Sequence, residues 1–91
     1  MSQTKKAVVI DDDLTTCKLV ELILIGFGFN VFTAEEGKRG LELVKEQKPE
    51  LLITDLLIPG IHGMKLCRLV KEDPELSNVK IIAISAVYTG S

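Results

Sequence analysis

The sequence contains no tryptophan, one tyrosine and two cysteines in 91 residues. Cys17 and Cys67 cannot form the disulfide framework that staples small secreted domains, and the composition reads as cytosolic. No apolar run approaches the ~20 residues of a membrane span. The opening MSQTKK lacks the apolar region of a signal peptide. A net charge of −2 offers no field for gripping a polyanion. The one basic pair, Lys5-Lys6, stands at the edge of an apolar run as a solvated flank. Neither a membrane nor a nucleic acid is therefore expected as a partner of this domain.

What is present is aliphatic. Leu, Ile, Val and Phe supply 33 of the 91 residues, and hydrophobic residues make up 46%. That is enough for one core and too little for two. It also excludes a disordered chain, which would be poorer in aliphatics and richer in charge of one sign.

The chain alternates two kinds of segment and shows no repeat or linker. Ala7-Val8-Val9-Ile10 is a continuous apolar run, the mark of a strand buried on both faces. Leu14 to Ile25 carries apolar residues at helical spacing: Cys17, Val20 and Leu24, with Leu19, Leu22 and Ile23. Asp13 or Thr15 can cap its start, and Gly26 and Gly28 supply stop signals. Phe29 to Thr33 is a weaker, partly polar strand suited to a sheet edge. Glu35 to Gln47 is a second helix with Leu41 and Val44 inward, in which Gly37 and Gly40 cost propensity. Leu51 to Thr54 is a third strand, Met64 to Glu72 a third helix ended by Asp73-Pro74, and Val79 to Ser85 a fourth strand. The pattern βαβαβαβ predicts a parallel sheet covered on both faces, with right-handed crossovers. Placing the most apolar strands centrally gives the order 2-1-3-4. Residues 1–6 read as a flank and 7–91 as one domain.

In a doubly wound sheet, ligands bind beyond the carboxyl ends of the strands, where strand order reverses. Here that point lies between the first and third strands. Asp11, Asp12 and Asp13 follow strand one, Asp55 follows strand three and Ser85 follows strand four. Carboxylates crowded at one rim stay ionised only if something positive neutralises them. A hard divalent cation with oxygen ligands does so, and Mg²⁺ leaves positions for phosphate oxygens. Zinc spacing, a P-loop and GxGxxG are all absent. The residues thus suggest a Mg²⁺ and phosphoryl site.

Three segments carry a resemblance: VVIDDDLTT, LLITDLLIPGIHGM and KIIAISA. Together they resemble the receiver domain of two-component response regulators, over about Ala7 to Ala86. The matching elements are an acidic pair after strand one, Asp-x-x-x-Pro-Gly-x-x-Gly after strand three and Ser-Ala after strand four. The resemblance implies a flavodoxin-like three-layer α/β/α fold and phosphorylation of one aspartate by a sensor histidine kinase or phosphotransfer protein. It makes Asp55 the phosphoacceptor. Asp11, Asp12, Asp55 and the backbone carbonyl of Leu57 become the Mg²⁺ ligands, and Ser85 the hydroxyl that contacts the phosphoryl group. Such a module transfers a phosphoryl group to itself and is not an enzyme on other substrates.

The departures are specific. The family expects a fourth helix, a fifth strand followed by a Lys, and a fifth helix, and none of these is expected in this chain. His62 stands where an acid is frequent, Leu57 is apolar at a variable position, and Ser85 replaces the commoner Thr. Two other readings stay open. The run Val8 to Thr15 also fits the Asp-x-Asp-x-Thr motif of haloacid-dehalogenase-like phosphatases, with Asp11 as nucleophile and Asp13 as acid/base. A non-phosphorylated interaction module is the third reading. Without a fifth strand, residues 79–87 form an apolar edge, so self-association through that edge or by segment exchange is expected.

Overall fold

A computed structural model describes residues 5–58 and 60–84. Strand β1 (Lys5–Ile10) leads to helix α1 (Leu14–Gly26), followed by β2 (Phe29–Ala34) and α2 (Gly37–Gln47). Then come β3 (Leu51–Asp55), α3 (Gly63–Glu72), a 3₁₀ turn (Pro74–Leu76) and β4 (Lys80–Ile84). All four strands are parallel, in the order β2-β1-β3-β4. This is the expected flavodoxin-like order.

The apolar runs sit where burial on two faces puts them. Ala7, Val8, Val9 and Ile10 are each 1% exposed or less, because β1 lies between β2 and β3 and under helices on both sides. Side chains alternate between the two faces. Val8, Ile10 and Leu52 meet Leu43 and Val44 of α2 and Leu66 and Val70 of α3. Ala7, Val9 and Ile53 meet Cys17 and Leu24 of α1. Each large side chain so buried contributes about 1.5–3 kcal/mol over leaving it in water.

Several boundaries differ from the sequence reading for identifiable reasons. β1 begins at Lys5, two residues early, because Lys5 and Lys6 pair in register with Phe29 and Asn30. The Lys5 ammonium also lies 5.9 Å from the Phe29 ring centre. α1 runs through Gly26 and stops at Phe27-Gly28, where Gly28 takes φ +91°, a conformation open chiefly to glycine. α2 starts at Gly37 rather than Glu35. Its two glycines are close-approach positions: a Cβ at Gly40 would overlap the Ile10 side chain, and one at Gly37 would press on the Ile61 carbonyl. The propensity they cost is exchanged for contact between α2, β1 and the loop after β3. Of the apolar residues noted on α1, Leu19, Leu22 and Ile23 are more than half exposed. A helix on one sheet buries only one stripe. No helix among the described residues is long and apolar enough to cross a membrane.

Candidate functional site

The register of the two central strands builds the site. Ile10 is paired with Thr54, so the next residues, Asp11 and Asp55, stand side by side at the carboxyl ends of their strands although 44 positions separate them. The Asp11 amide still donates to the Ala34 carbonyl of β2 at 3.0 Å, which fixes Asp11 as the last sheet-like residue of its strand. Its side chain is buried. Asp12 is exposed and Asp55 half-buried. One carboxylate oxygen from each of Asp11, Asp12 and Asp55 can be chosen so that all three lie within 4.8 Å of one another.

The third acid of the run points elsewhere. Asp13 is the N-cap of α1: its Oδ1 accepts from the Thr15 amide at 3.1 Å and its Oδ2 from the Thr16 hydroxyl at 2.8 Å. These bonds hold its carboxyl below the ordinary value of 3.8, the Thr16 hydroxyl contributing most. With both oxygens engaged in the cap, Asp13 is not presented as a proton donor beside Asp11.

Asp11 is shifted the other way. Burial pushes its carboxyl up first, and the negative charges of Asp55, Asp12 and Asp13 add to that. The Asp13 amide, donating to Asp11 Oδ1 at 2.8 Å, offsets part of the rise. Among the described residues, no Lys or Arg forms an ion pair with the three acids. A buried carboxylate pressed by two others gains most from a cation bound by all three. The donor set is oxygen only, which suits a hard divalent ion.

The loop after β3 is shaped around Asp55. The Leu57 amide donates to Asp55 Oδ1 at 3.1 Å, closing an Asx turn. Buried Thr54 turns its hydroxyl to the Asp55 carbonyl at 3.0 Å. The Leu56 amide donates to the Ile84 carbonyl of β4 at 3.1 Å. Gly60 has φ +83°. Gly63 is needed for a different reason than turn conformation. It starts α3, and a Cβ there would lie 2.6 Å from the Leu56 Cα and 2.7 Å from the Asp55 carbonyl oxygen. Glycine lets α3 approach the loop and fix the backbone next to Asp55. Thr16 and Gly63, like Gly37 and Gly40 of α2, have roles that the sequence reading did not anticipate. Their signals were a hydroxyl three residues after an acid and a glycine at a helix start.

His62 is exposed and precedes α3 without capping it. Leu57 is 70% exposed at the rim. Ser85 lies outside the described residues. Its neighbour Ile84 is the register partner of Asp55.

Comparison with known proteins agrees with this geometry. The family model described as the response regulator receiver domain matches residues 7–89. The DNA-binding response regulator MtrA of Mycobacterium tuberculosis is 32% identical over 82 residues, which are 90% of this chain and 35% of that protein. The transcriptional regulatory protein AfsQ1 of Streptomyces coelicolor is 36% identical over 75 residues, 82% of this chain and 33% of that one. Among solved structures, a response regulator from Chloroflexus aurantiacus superimposes with a TM-score of 0.83 at 33% identity, over 89% of this chain and 66% of that one. The chain thus spans about a third of the length of the curated relatives it matches. With a matched family model covering nearly all of it, and an acidic rim at the switch point of a 2-1-3-4 sheet, the chain belongs to the response regulator receiver domain family.

Proposed function

We propose that this chain is the phosphoacceptor module of a phosphorelay, receiving a phosphoryl group on Asp55 from a sensor histidine kinase or phosphotransfer protein. The observation that carries the proposal is the meeting of Asp55 with Asp11 and Asp12 beyond the ends of β1 and β3. Mg²⁺ fits this rim: the donors are hard oxygens, their charges repel, and burial already strains the ionised form of Asp11. Asp11, Asp12, Asp55 and the main-chain carbonyl of Leu57 would hold it. When bound, the ion supplies charge neutralisation for the carboxylates and for the transferring phosphoryl oxygens.

The chain's own groups do the rest. A carboxylate is a weak nucleophile, so alignment matters most. The Leu57 amide engages Asp55 Oδ1 and leaves Oδ2 to attack. Asp55 Oδ2 forms a bond to phosphorus as the phosphorus–nitrogen bond of the donor phosphohistidine breaks. The electron pair of that bond stays on the imidazole, and Asp55 becomes an acyl phosphate. Ser85, next after the register partner of Asp55, is proposed as the hydroxyl that hydrogen-bonds the new phosphoryl group.

The test uses acetyl phosphate or beryllofluoride with Mg²⁺, read by mass spectrometry. One adduct per chain is expected, mapped to Asp55 and lost in Asp55→Asn. Asp11→Asn should slow its formation roughly tenfold or more. Mg²⁺ at ten times its dissociation constant should stabilise the unmodified protein by about 1.4 kcal/mol. Asp11→Asn should remove that response while raising stability in the absence of Mg²⁺, since the strained charge is gone. An adduct that survives Asp55→Asn, with steady phosphatase turnover, would establish Asp11 as the nucleophile instead. Bound Mg²⁺ with no adduct at all would establish an interaction module.

A further inference from the structure

Two polar side chains are buried among the described residues, Asp11 and Thr54, and both adjoin the acidic rim. Asp11 is one of the three clustered acids. Thr54 is not, and it is fully enclosed at the end of an otherwise aliphatic run, after Leu51, Leu52 and Ile53. Its register partners, Ile10 of β1 and Ala83 of β4, are apolar. Side chains alternate along β3, so Thr54 shares with Leu52 the face covered by α2 and α3. A valine would fill that space with nearly the same shape and no hydroxyl to take out of water. The Thr54 hydroxyl is spent on one bond, donated to the Asp55 carbonyl at 3.0 Å. A β-branched side chain is stiff at χ1, which holds that bond in place.

The bonded carbonyl belongs to the rigid peptide plane that joins Asp55 to Leu56. The other end of that plane is the Leu56 amide, which donates to the Ile84 carbonyl of β4 at 3.1 Å. The plane is thus gripped at both ends, and the ψ of Asp55 is set with it. The next plane follows from the first. Its Leu56 carbonyl accepts from the Gly63 amide at 3.2 Å, and its Leu57 amide donates to Asp55 Oδ1 at 3.1 Å. The geometry points to Thr54 as a positioning residue for the phosphoacceptor site, acting through the Asp55 main chain on the aim of the Asp55 carboxylate and of the Leu57 carbonyl. Without the hydroxyl, the first plane is held at its amide end and can turn about it. That turn would carry the Leu57 amide off Asp55 Oδ1 and leave Oδ2 badly directed for attack. The methyl and the hydroxyl of Thr54 therefore serve different ends: one fills the core under α2 and α3, the other orients the loop. This role rests on the phosphoacceptor reading of Asp55.

Two substitutions separate those ends. Thr54→Val keeps the shape and removes the hydroxyl, while Thr54→Ser keeps the hydroxyl and removes the methyl. Thr54→Val should weaken Mg²⁺ binding, titrated without any phosphodonor, by about three- to tenfold, as expected for one lost hydrogen bond. At saturating Mg²⁺ it should slow formation of the Asp55 adduct from acetyl phosphate by a similar factor. In the metal-free protein it should lower the hydrogen-exchange protection of the Leu56 amide by roughly threefold or more. Thr54→Ser should return all three to within about twofold of native, although the lost methyl lowers its melting temperature by about 4–8 °C. Thr54→Val should melt above Thr54→Ser. A threonine that only packs would give the reverse, with site losses that follow the melting temperature. Losses in Thr54→Ser equal to or larger than those in Thr54→Val overturn the proposal. So does a Thr54→Val protein within twofold of native in both Mg²⁺ affinity and exchange. A native protein that forms no adduct overturns the phosphoacceptor reading instead, and the Mg²⁺ and exchange measurements then uphold or overturn the role of Thr54 by the same limits.

Discussion

On one face of the sheet, α2 and α3 bury Leu43, Val44, Leu66 and Val70 against Val8, Ile10 and Leu52. On the other, among the described residues, α1 alone buries Cys17 and Leu24 against Ala7, Val9 and Ile53. The sheet is the same, and the means of holding the helices differ. α2 and α3 begin at Gly37 and Gly63 without any side-chain cap, and each relies on close backbone approach through those glycines. α1 has a doubly bonded cap in Asp13 and a thin buried stripe. Tertiary packing secures two helices, while local hydrogen bonding does much of the work for the third. α1 also turns the most apolar side chains outward, Leu14, Leu19, Leu22, Ile23 and Ile25 against Met64 and Leu69 on α3.

That contrast can be broken at three levels. The largest effect is expected in the two cores. Leu66→Ala, at a fully buried site, should cost about 2–5 kcal/mol in denaturant unfolding. Leu19→Ala on the outer side of α1 should stay within about 0.5 kcal/mol. Equal losses would show that α1 is as tightly packed as α3. Next come the glycines. Gly40→Ala forces a methyl group into the Ile10 side chain and should destabilise by about 1–3 kcal/mol. Gly26→Ala meets nothing within 4 Å and should stabilise by about 0.4–1 kcal/mol. Opposite signs from the same substitution are the outcome that sharpens the comparison.

The smallest effect concerns the caps. Asp13→Ala should lower the melting temperature, whereas Glu36→Ala, which removes no cap bond from α2, should leave it unchanged. The Asp13 effect has a pH signature. Its carboxyl is held below 3.8 in the folded protein, so its contribution is fully present above that value. It is lost as pH falls through the lower folded value. Melting curves of the native and Asp13→Ala proteins should therefore converge on acidification, and a gap that stayed constant would assign the loss to something other than the cap.

Much of the fold could be read from the chain because its signals are local. Each buried strand announces itself as a short aliphatic run, and the helices between them carry a 3.6-residue period. The order 2-1-3-4 keeps Ala7–Ile10 and Leu51–Thr54 central. The acids that follow those strands were legible for the same reason: the rule that sites form beyond strand ends converts sequence position into place. The functions of individual glycines were not legible, since a glycine at a helix start looks the same whether it caps, turns or admits a neighbour. The exposed state of Leu19 and Leu22 was equally hidden, because periodicity shows that a helix has apolar stripes and not how many of them the fold will cover.

The sequence by itself determined the element order, the parallel sheet and the set of acids at its rim, since strand, helix and turn preferences act over a few residues. Only the tertiary structure decided which acids work together. The register of β1 against β3 brings Asp11 and Asp12 to Asp55, and the start of α1 takes Asp13 away into its cap. Those assignments depend on contacts between segments far apart in the chain, and no local preference encodes them.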